Sequence, residues 1–278
     1  MSRSVLLTKD LIIVRAGMRS LHNTWLDPNI PRTWDLLVSP YEEIPQTQGT
    51  GVFVSEIIRP FKWAALKLLL NKWQGWRDYR YVLLADDDLF ARQETWSHFF
   101  DRCAHYGAKL AQPALTEDSF FSHGITLRNT EFVARRVSYV EVMMPCFSAD
   151  VLAQLLGTLD LSESGSGWGL DFLWAKQLGY KNLFVIDETP VLHTRPICSN
   201  YPDLLKTYRG ELAKIIRDYQ VPWILKTFSG FMADGREIAE NHATFLYHLF
   251  RGYERVFERN PNRFDEMIKL QLVAFPRA

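Results

Sequence analysis

Tyr81-Val82-Leu83-Leu84-Ala85-Asp86-Asp87-Asp88-Leu89 is the stretch on which the fold turns. An apolar run of strand length passes straight into three carboxylates, the pattern of a buried β-strand whose carboxyl end is polar. Three adjacent carboxylates repel one another at neutral pH. Such a tip is offset by a bound cation, or is a solvated loop or an N-terminal cap on the next segment. In extended chain, residues i and i+2 project to the same side, so Asp86 and Asp88 face one ligand while Asp87 turns away. Two hard oxygen ligands with open remaining positions suit Mg²⁺ or Mn²⁺ completed by diphosphate and water.

Outward from this tip, the chain alternates. Residues 11–14 and 34–38 are apolar runs closed by Arg15-Ala16-Gly17 and Ser39-Pro40, and the same reasoning predicts strands at 109–112, 139–144, 182–186 and 191–192. Helical spacing is present over 61–73, 95–106, 149–159 and 170–178, the last stopped by Gly179. Strands alternating with helices predict an α/β fold with a mixed, mainly parallel sheet flanked by helices, which binds ligands at the carboxyl ends of its strands. After Pro196 the periodicity becomes helical, over 204–219 and 238–258. The expected organisation is therefore a domain over 1–200 with a helical C-terminal extension over 201–278 packed on it.

The 278 residues carry 32 Lys plus Arg against 32 Asp plus Glu, so bulk charge offers no attraction for nucleic acid or an anionic membrane. The chain contains no apolar run of about 18 residues, the length a membrane-crossing helix needs. Its first residues, interrupted by Lys9 and Asp10, do not read as a secretory signal. Cys103, Cys146 and Cys198 are widely spaced with no CxxC pair, which fits reduced thiols and a cytoplasmic location. Aromatic content is 14%, with nine Trp; such rings fill cores and also stack on sugars.

Two further motifs can carry chemistry. In Gly165-Ser166-Gly167-Trp168-Gly169-Leu170-Asp171 the glycines permit close backbone approaches that present Trp168 and Asp171 at a cleft. Asp171 is either a helix-capping carboxylate or a general base. His193, in Val191-Leu192-His193-Thr194-Arg195-Pro196, follows a strand. It is either a satisfied hydrogen-bonding residue or an imidazole ligand for a metal, with Arg195 near phosphate.

An acidic strand end, a Gly-Trp-Gly-x-Asp turn and a late strand-end His, in that order, resemble the GT-A class of nucleotide-sugar glycosyltransferases. More closely, the chain is similar to the glycosyltransferase-like family catalogued as DUF707. That likeness rests on PFKWAALKLL (60–69), YVLLADDDL (81–89), AQPALT (111–116), SHGITLR (122–128), VEVMMPCFS (140–148), SGWGLDFLW (166–174) and VLHTRP (191–196). The resemblance implies an enzyme that moves a sugar from a nucleotide-sugar donor to a glycan or glycoconjugate acceptor, using Mn²⁺ or Mg²⁺. It makes Asp86, Asp88 and His193 the metal site, with Asp88 the direct ligand and Asp86 a ribose or water-bridged contact. Asp171 falls near the acceptor-activating acid of inverting enzymes, although Phe172 stands where their second acid would be, and Glu141 is the substitute candidate. Arg15, Gly17, Lys62, Asp86 and Asp87 form the expected donor-binding set. Arg19 and His22 are further donor-side candidates, and His123 and Arg128 are candidates for the acceptor side. Two other classes remain compatible with the residues: a non-catalytic carbohydrate-binding protein and a sugar nucleotidyltransferase.

Overall fold

The structure is a computed structural model that describes residues 9–59, 61–197 and 202–273; Cys198 lies outside the described residues, while Cys103 and Cys146 are buried free thiols. In chain order the elements are β1 (Asp10–Ala16), β2 (Trp34–Pro40), β3 (Val52–Val54), α1 (Lys62–Lys72), β4 (Tyr81–Ala85), β5 (Leu89–Phe90), α2 (Gln93–Tyr106), β6 (Leu110–Leu115), β7 (Ala134–Val137), β8 (Cys146–Ser148), α3 (Ala149–Leu155), α4 (Leu170–Gln177), β9 (Leu183–His193), α5 (Leu205–Asp218), β10 (Thr227–Phe231), β11 (Glu237–Ala239), α6 (Phe245–Arg251), α7 (Glu254–Arg259) and α8 (Asn262–Leu272).

The sheet runs β11-β10-β7-β9-β6-β8-β4-β1-β2-β3, with β5 pairing off this path against β9. β3, β2, β1, β4, β6, β9 and β10 share one direction, but β8, β7 and β11 are interleaved against it, so four pairings are parallel and six, counting β5 on β9, are antiparallel: the sheet is mixed, and not mainly parallel as the alternation of strands and helices suggests. Alternation along β1 sends its residues into two layers. Leu11 and Ile13 pack with Trp63, Leu66 and Leu70 of α1 and Leu173 and Trp174 of α4. Ile12 and Val14 pack with Trp96, Phe99 and Phe100 of α2. A strand buried on both faces is why β1 shows no polar alternation. Asp10, its one acid, is held bidentately by Arg80 at 3.0 and 2.7 Å.

Several elements depart from the sequence expectation. Residues 139–144 form no strand, because their backbone is satisfied elsewhere: Gln112 Oε1 accepts from the Glu141 N–H, and Lys62 Nζ donates to the carbonyls of Val142 and Met143. Residues 183–186 and 191–192 belong to one strand, β9, which Asn182 precedes, and Asp187 in its polar middle is buried in a pair with Arg135. β3, β5, β8 and β11 are two or three residues long, β7 carries Arg135 and Arg136, and β10 is interrupted by Ser229-Gly230, so none of them is expected from the sequence. The helical character expected after residue 200 is present in α5 to α8; β10 and β11 add to the sheet, and the 238–258 periodicity is divided between β11, α6 and α7. Among the described residues no helix is long and apolar enough to cross a membrane.

Candidate active site

The register Val14↔Ala85 and Ala16↔Pro40 brings the carboxyl ends of β1, β2 and β4 level with one another. There the Asp86–Asp88 tip is fixed through its backbone. Met143 O accepts from Asp86 N, Asp87 O accepts from Leu21 N, and Asp88 O accepts from both the N–H and the hydroxyl of Thr194. β5 turns back from the tip and pairs antiparallel with the end of β9, Leu89 opposite His193. That short ladder delivers the imidazole: His193 Nε2 lies 3.3 Å from Asp88 Oδ2. Nδ1 is 2.7 Å from the Phe120 carbonyl, which only accepts, so Nδ1 carries a hydrogen and Nε2 is the atom facing Asp88. Burial opposes protonation of His193, but the hydrogen bond and charge of Asp88 outweigh it and raise the imidazole above its usual range.

The tip opens into a cleft of about 850 Å³ whose wall includes Arg15, Lys62, Asp86, Asp87, Asp88, Glu141, Asp171, His193 and Arg195, with Arg19 and His123. Gly17 is not on that wall; its N–H donates to Asp87 Oδ2 at 2.9 Å. Two more of the sequence candidates lie off the wall. His22 is buried between Ser20 and Thr47, and burial pushes it down to about 4, so it is a neutral structural imidazole. Arg128 is likewise absent from the wall, with its N–H bonded to the carbonyl of Leu115.

The donor-side residues are heavily engaged. Asp87 has partners of its own, Gly17 N–H, Tyr41 OH at 3.0 Å and Arg195 Nη1 at 3.2 Å, although strand alternation does not govern the tip, since β4 ends at Ala85 and Asp87 and Asp88 lie in a turn. The Asp87 carboxylate pins the ends of β1 and β2 to the tip. Lys62, expected near the diphosphate, has its ammonium on Asp86 Oδ1 at 2.7 Å and on the carbonyls of Val142 and Met143 at 2.7 and 2.8 Å. Three donors meet three acceptors. Arg15 bonds Ser39 and the Ile58 carbonyl, and burial pulls its guanidinium down to about 10.

On the opposite wall, Asp171 stands at the start of α4, where Gly167 (φ +80°) and Gly169 (φ +96°) turn the chain. Tyr139 OH donates to Asp171 Oδ2 at 2.8 Å and the Phe172 N–H reaches Oδ1 at 2.9 Å. Burial nevertheless pushes Asp171 up to about 7, against those two bonds and with the charge of Glu141 adding to the rise. Glu141 is raised as well, by burial first, and its Oε2 is buried without a hydrogen-bond partner. Aromatic rings line this wall: Tyr139, Phe172, Trp168, Tyr208 and Trp223. Tyr139 sits two residues before Glu141, a hint available in the sequence. Tyr41, Tyr208, Arg209 and Trp223 had no such signal, since only the packing of distant segments brings them here.

Divalent-metal binding can be tested against these residues. Burial raises Asp86, Asp87, Glu141 and Asp171 together, so the cleft holds more negative charge than it solvates comfortably. Asp88 Oδ1 is buried with no hydrogen-bond partner, next to an imidazole whose Nε2 faces the same carboxylate. Among the described residues no group of three His, Cys, Asp or Glu side chains forms a ready cage. One carboxylate and one imidazole with open positions fit a Mg²⁺- or Mn²⁺-type ion that takes its other ligands from phosphate and water.

No family model and no curated protein matches the chain, so the DUF707 likeness stays a reading of the motifs. Solved structures do resemble it. GalNAc-T7 with UDP, GalNAc and Mn²⁺ is 12% identical over 77% of this chain and 49% of its own, with a TM-score of 0.50. S. aureus TarS, residues 1–349, is 13% identical over 73% of this chain and 65% of its own, with a TM-score of 0.47. A mycobacterial protein is 16% identical over 84% and 83%, with a TM-score of 0.45. The chain thus spans somewhat under two thirds of TarS 1–349 and about half of GalNAc-T7. The likeness to GalNAc-T7 is one of fold: a mixed α/β arrangement with a large central sheet flanked by helices.

Proposed function

We propose that this chain is a divalent-metal-dependent glycosyltransferase that moves a sugar from a nucleotide-sugar donor to a hydroxyl of a glycan or glycoconjugate, with inversion. The observation that carries the reading is the meeting of Asp88 and His193, far apart in sequence, on the wall of a cleft that also holds Asp86, Glu141 and Asp171. The UDP and Mn²⁺ bound to GalNAc-T7, which has this fold, support a uridine diphosphate sugar as the donor to try first.

In this reading Asp88 and His193 would hold Mn²⁺ or Mg²⁺, and Asp86, partly open to the cleft, would contact the ribose or reach the metal through water. Bound metal supplies charge neutralisation for the departing diphosphate. Asp171 takes the proton of the acceptor hydroxyl as that oxygen forms its bond to the anomeric carbon. The bond from that carbon to the diphosphate oxygen breaks and its electron pair leaves with the nucleotide. An Asp raised to about 7 is half ionised near neutral pH and returns the proton readily to water. Glu141 is the second candidate base, because its Oε2 is buried and unpartnered on the same wall. Its electrostatic neighbours are His193, Asp86 and Lys62, which favours a role beside the metal.

The test is UDP binding by calorimetry with and without Mn²⁺, followed by hydrolysis of UDP-GlcNAc, UDP-GalNAc and UDP-glucose. Mn²⁺ is expected to strengthen UDP binding, and Asp88→Ala to abolish that gain and the hydrolysis while leaving the fold intact. UDP binding indifferent to Mn²⁺ and to Asp88→Ala would sink the proposal. Binding without turnover on any donor or acceptor would favour a non-catalytic binder.

A further inference from the structure

The connection from α5 to β10 holds a large aromatic side chain out of the core. Val221, Ile224 and Leu225 are buried, yet Trp223 between them is 45% exposed. The loop is anchored on both sides of it. Lys176 Nζ binds the carbonyls of Tyr219 and Gln220 at 2.6 and 3.1 Å, and Ser138 Oγ donates to the Ile224 carbonyl at 2.9 Å while accepting from the Lys226 N–H at 2.7 Å. Leaving an indole half in water forfeits burial, and fixing it there means that the presentation is built in.

One face of the Trp223 ring lies on Phe172, centroids 4.4 Å apart and planes 26° from parallel. The His123 ring meets it edge-on at 5.7 Å. Among the described residues no ring or cation is stacked on its other face, and Trp223 is on the wall of the cleft. Phe172 is the next residue after Asp171, and Tyr139, which packs on Phe172 at 4.9 Å, donates its hydroxyl to Asp171. A rigid open indole is thus coupled through two rings to the carboxylate proposed as base. An apolar face next to a hydroxyl-accepting carboxylate matches a sugar ring, which has an axial C–H face and equatorial hydroxyls. An aliphatic alcohol or a peptide hydroxyl would use the carboxylate but has no flat face for the indole.

We propose that the open face of Trp223 is the stacking platform of the acceptor, that the acceptor offers a sugar ring there, and that the C-terminal segment therefore sets acceptor choice. This rests on the glycosyltransferase reading above. The experiment is saturation-transfer NMR on the full chain with UDP and Mn²⁺ present, using chitobiose, cellobiose, lactose and maltose as probes. At least one disaccharide is expected to receive saturation on its C–H protons, with affinity falling about tenfold in Trp223→Ala and far less in Trp223→Phe, which keeps a ring. UDP–Mn²⁺ affinity is expected to be equal in all three proteins, which also reports that each is folded. Absence of saturation on all four probes, or equal affinity in Trp223→Ala, overturns the platform while the donor site stands. Failure of UDP–Mn²⁺ to bind the unaltered chain overturns both proposals.

Discussion

Asp171 keeps its proton at pH values where an ordinary aspartate has lost it, because burial raises it to about 7 from 3.8. A carboxyl raised on folding stabilises the folded state fully below about 3.8, and that contribution fades as pH climbs through about 7. Asp171→Asn removes the titration, so the difference in melting temperature between pH 5 and pH 8.5 is expected to be smaller in the variant than in the parent. Under the proposed mechanism only the ionised form accepts a proton. Turnover should therefore rise through about pH 7, and Asp171→Asn should lower kcat about 10²–10⁴-fold with a flat profile. A kcat profile in Asp171→Asn that keeps the parent's rise would move the base to Glu141. At this scale the legible residues were those with local context: Asp86, Asp88, Asp171 and His193 each follow or open a recognisable element. Tyr139, which holds Asp171, stood in a stretch that read as strand, with its nearness to Glu141 as its one hint.

The Gly-Trp-Gly turn shows how an element is dictated by what cannot fit. Gly167 has φ +80°, and a Cβ there would also run into the Trp63 indole of α1. Gly179, at φ +60°, ends its helix in open space with nothing within 4 Å of a Cβ. Alanine at 179 is expected to cost about 1–2 kcal/mol, the left-handed strain alone. Alanine at 167 adds a collision to that strain and is expected to cost about 2–4 kcal/mol and to disturb Asp171. Urea melts of the two variants check this, and equal destabilisation would show that the α1 contact is soft. The strand expected over 139–144 failed for a related reason. Val140, Val142, Met143 and Met144 supply strand-like apolar character, but Lys62 and Gln112 take the backbone groups that a ladder would have used.

Across the whole molecule, one buried ion pair joins the sheet to the C-terminal helices. Arg135 of β7 bonds both oxygens of Asp187 of β9 at 2.9 Å, the carbonyls of Ile125 and Leu127 at 3.0 and 2.8 Å, and the hydroxyl of Tyr253 just before α7. Both charged side chains are inaccessible to solvent. Breaking such a pair strands a buried carboxylate, so Arg135→Met is expected to cost about 3–5 kcal/mol. Replacing both partners, Arg135→Met with Asp187→Leu, is expected to recover part of that loss, because no buried charge is then left alone. Chemical denaturation of the single and double variants measures the difference. Residues after 200 also share the main core, with Phe245, Leu249 and Tyr253 packed in the same cluster as Ile12 and Val14. They supply Tyr208, Arg209, Leu212 and Trp223 to the cleft wall.

The sequence by itself determined the layered α/β class, the strand ends that carry the carboxylates and the imidazole, and the glycine turn before Asp171. Each of these depends on short-range periodicity or on a local backbone requirement. The tertiary structure alone decided that β5 pairs with β9 and so sets His193 against Asp88, that β10 and β11 continue the sheet, and that Trp223 faces the same cleft as Asp171. Those outcomes depend on which distant segments satisfy one another's backbone and buried charges, and no window of neighbouring residues contains that information.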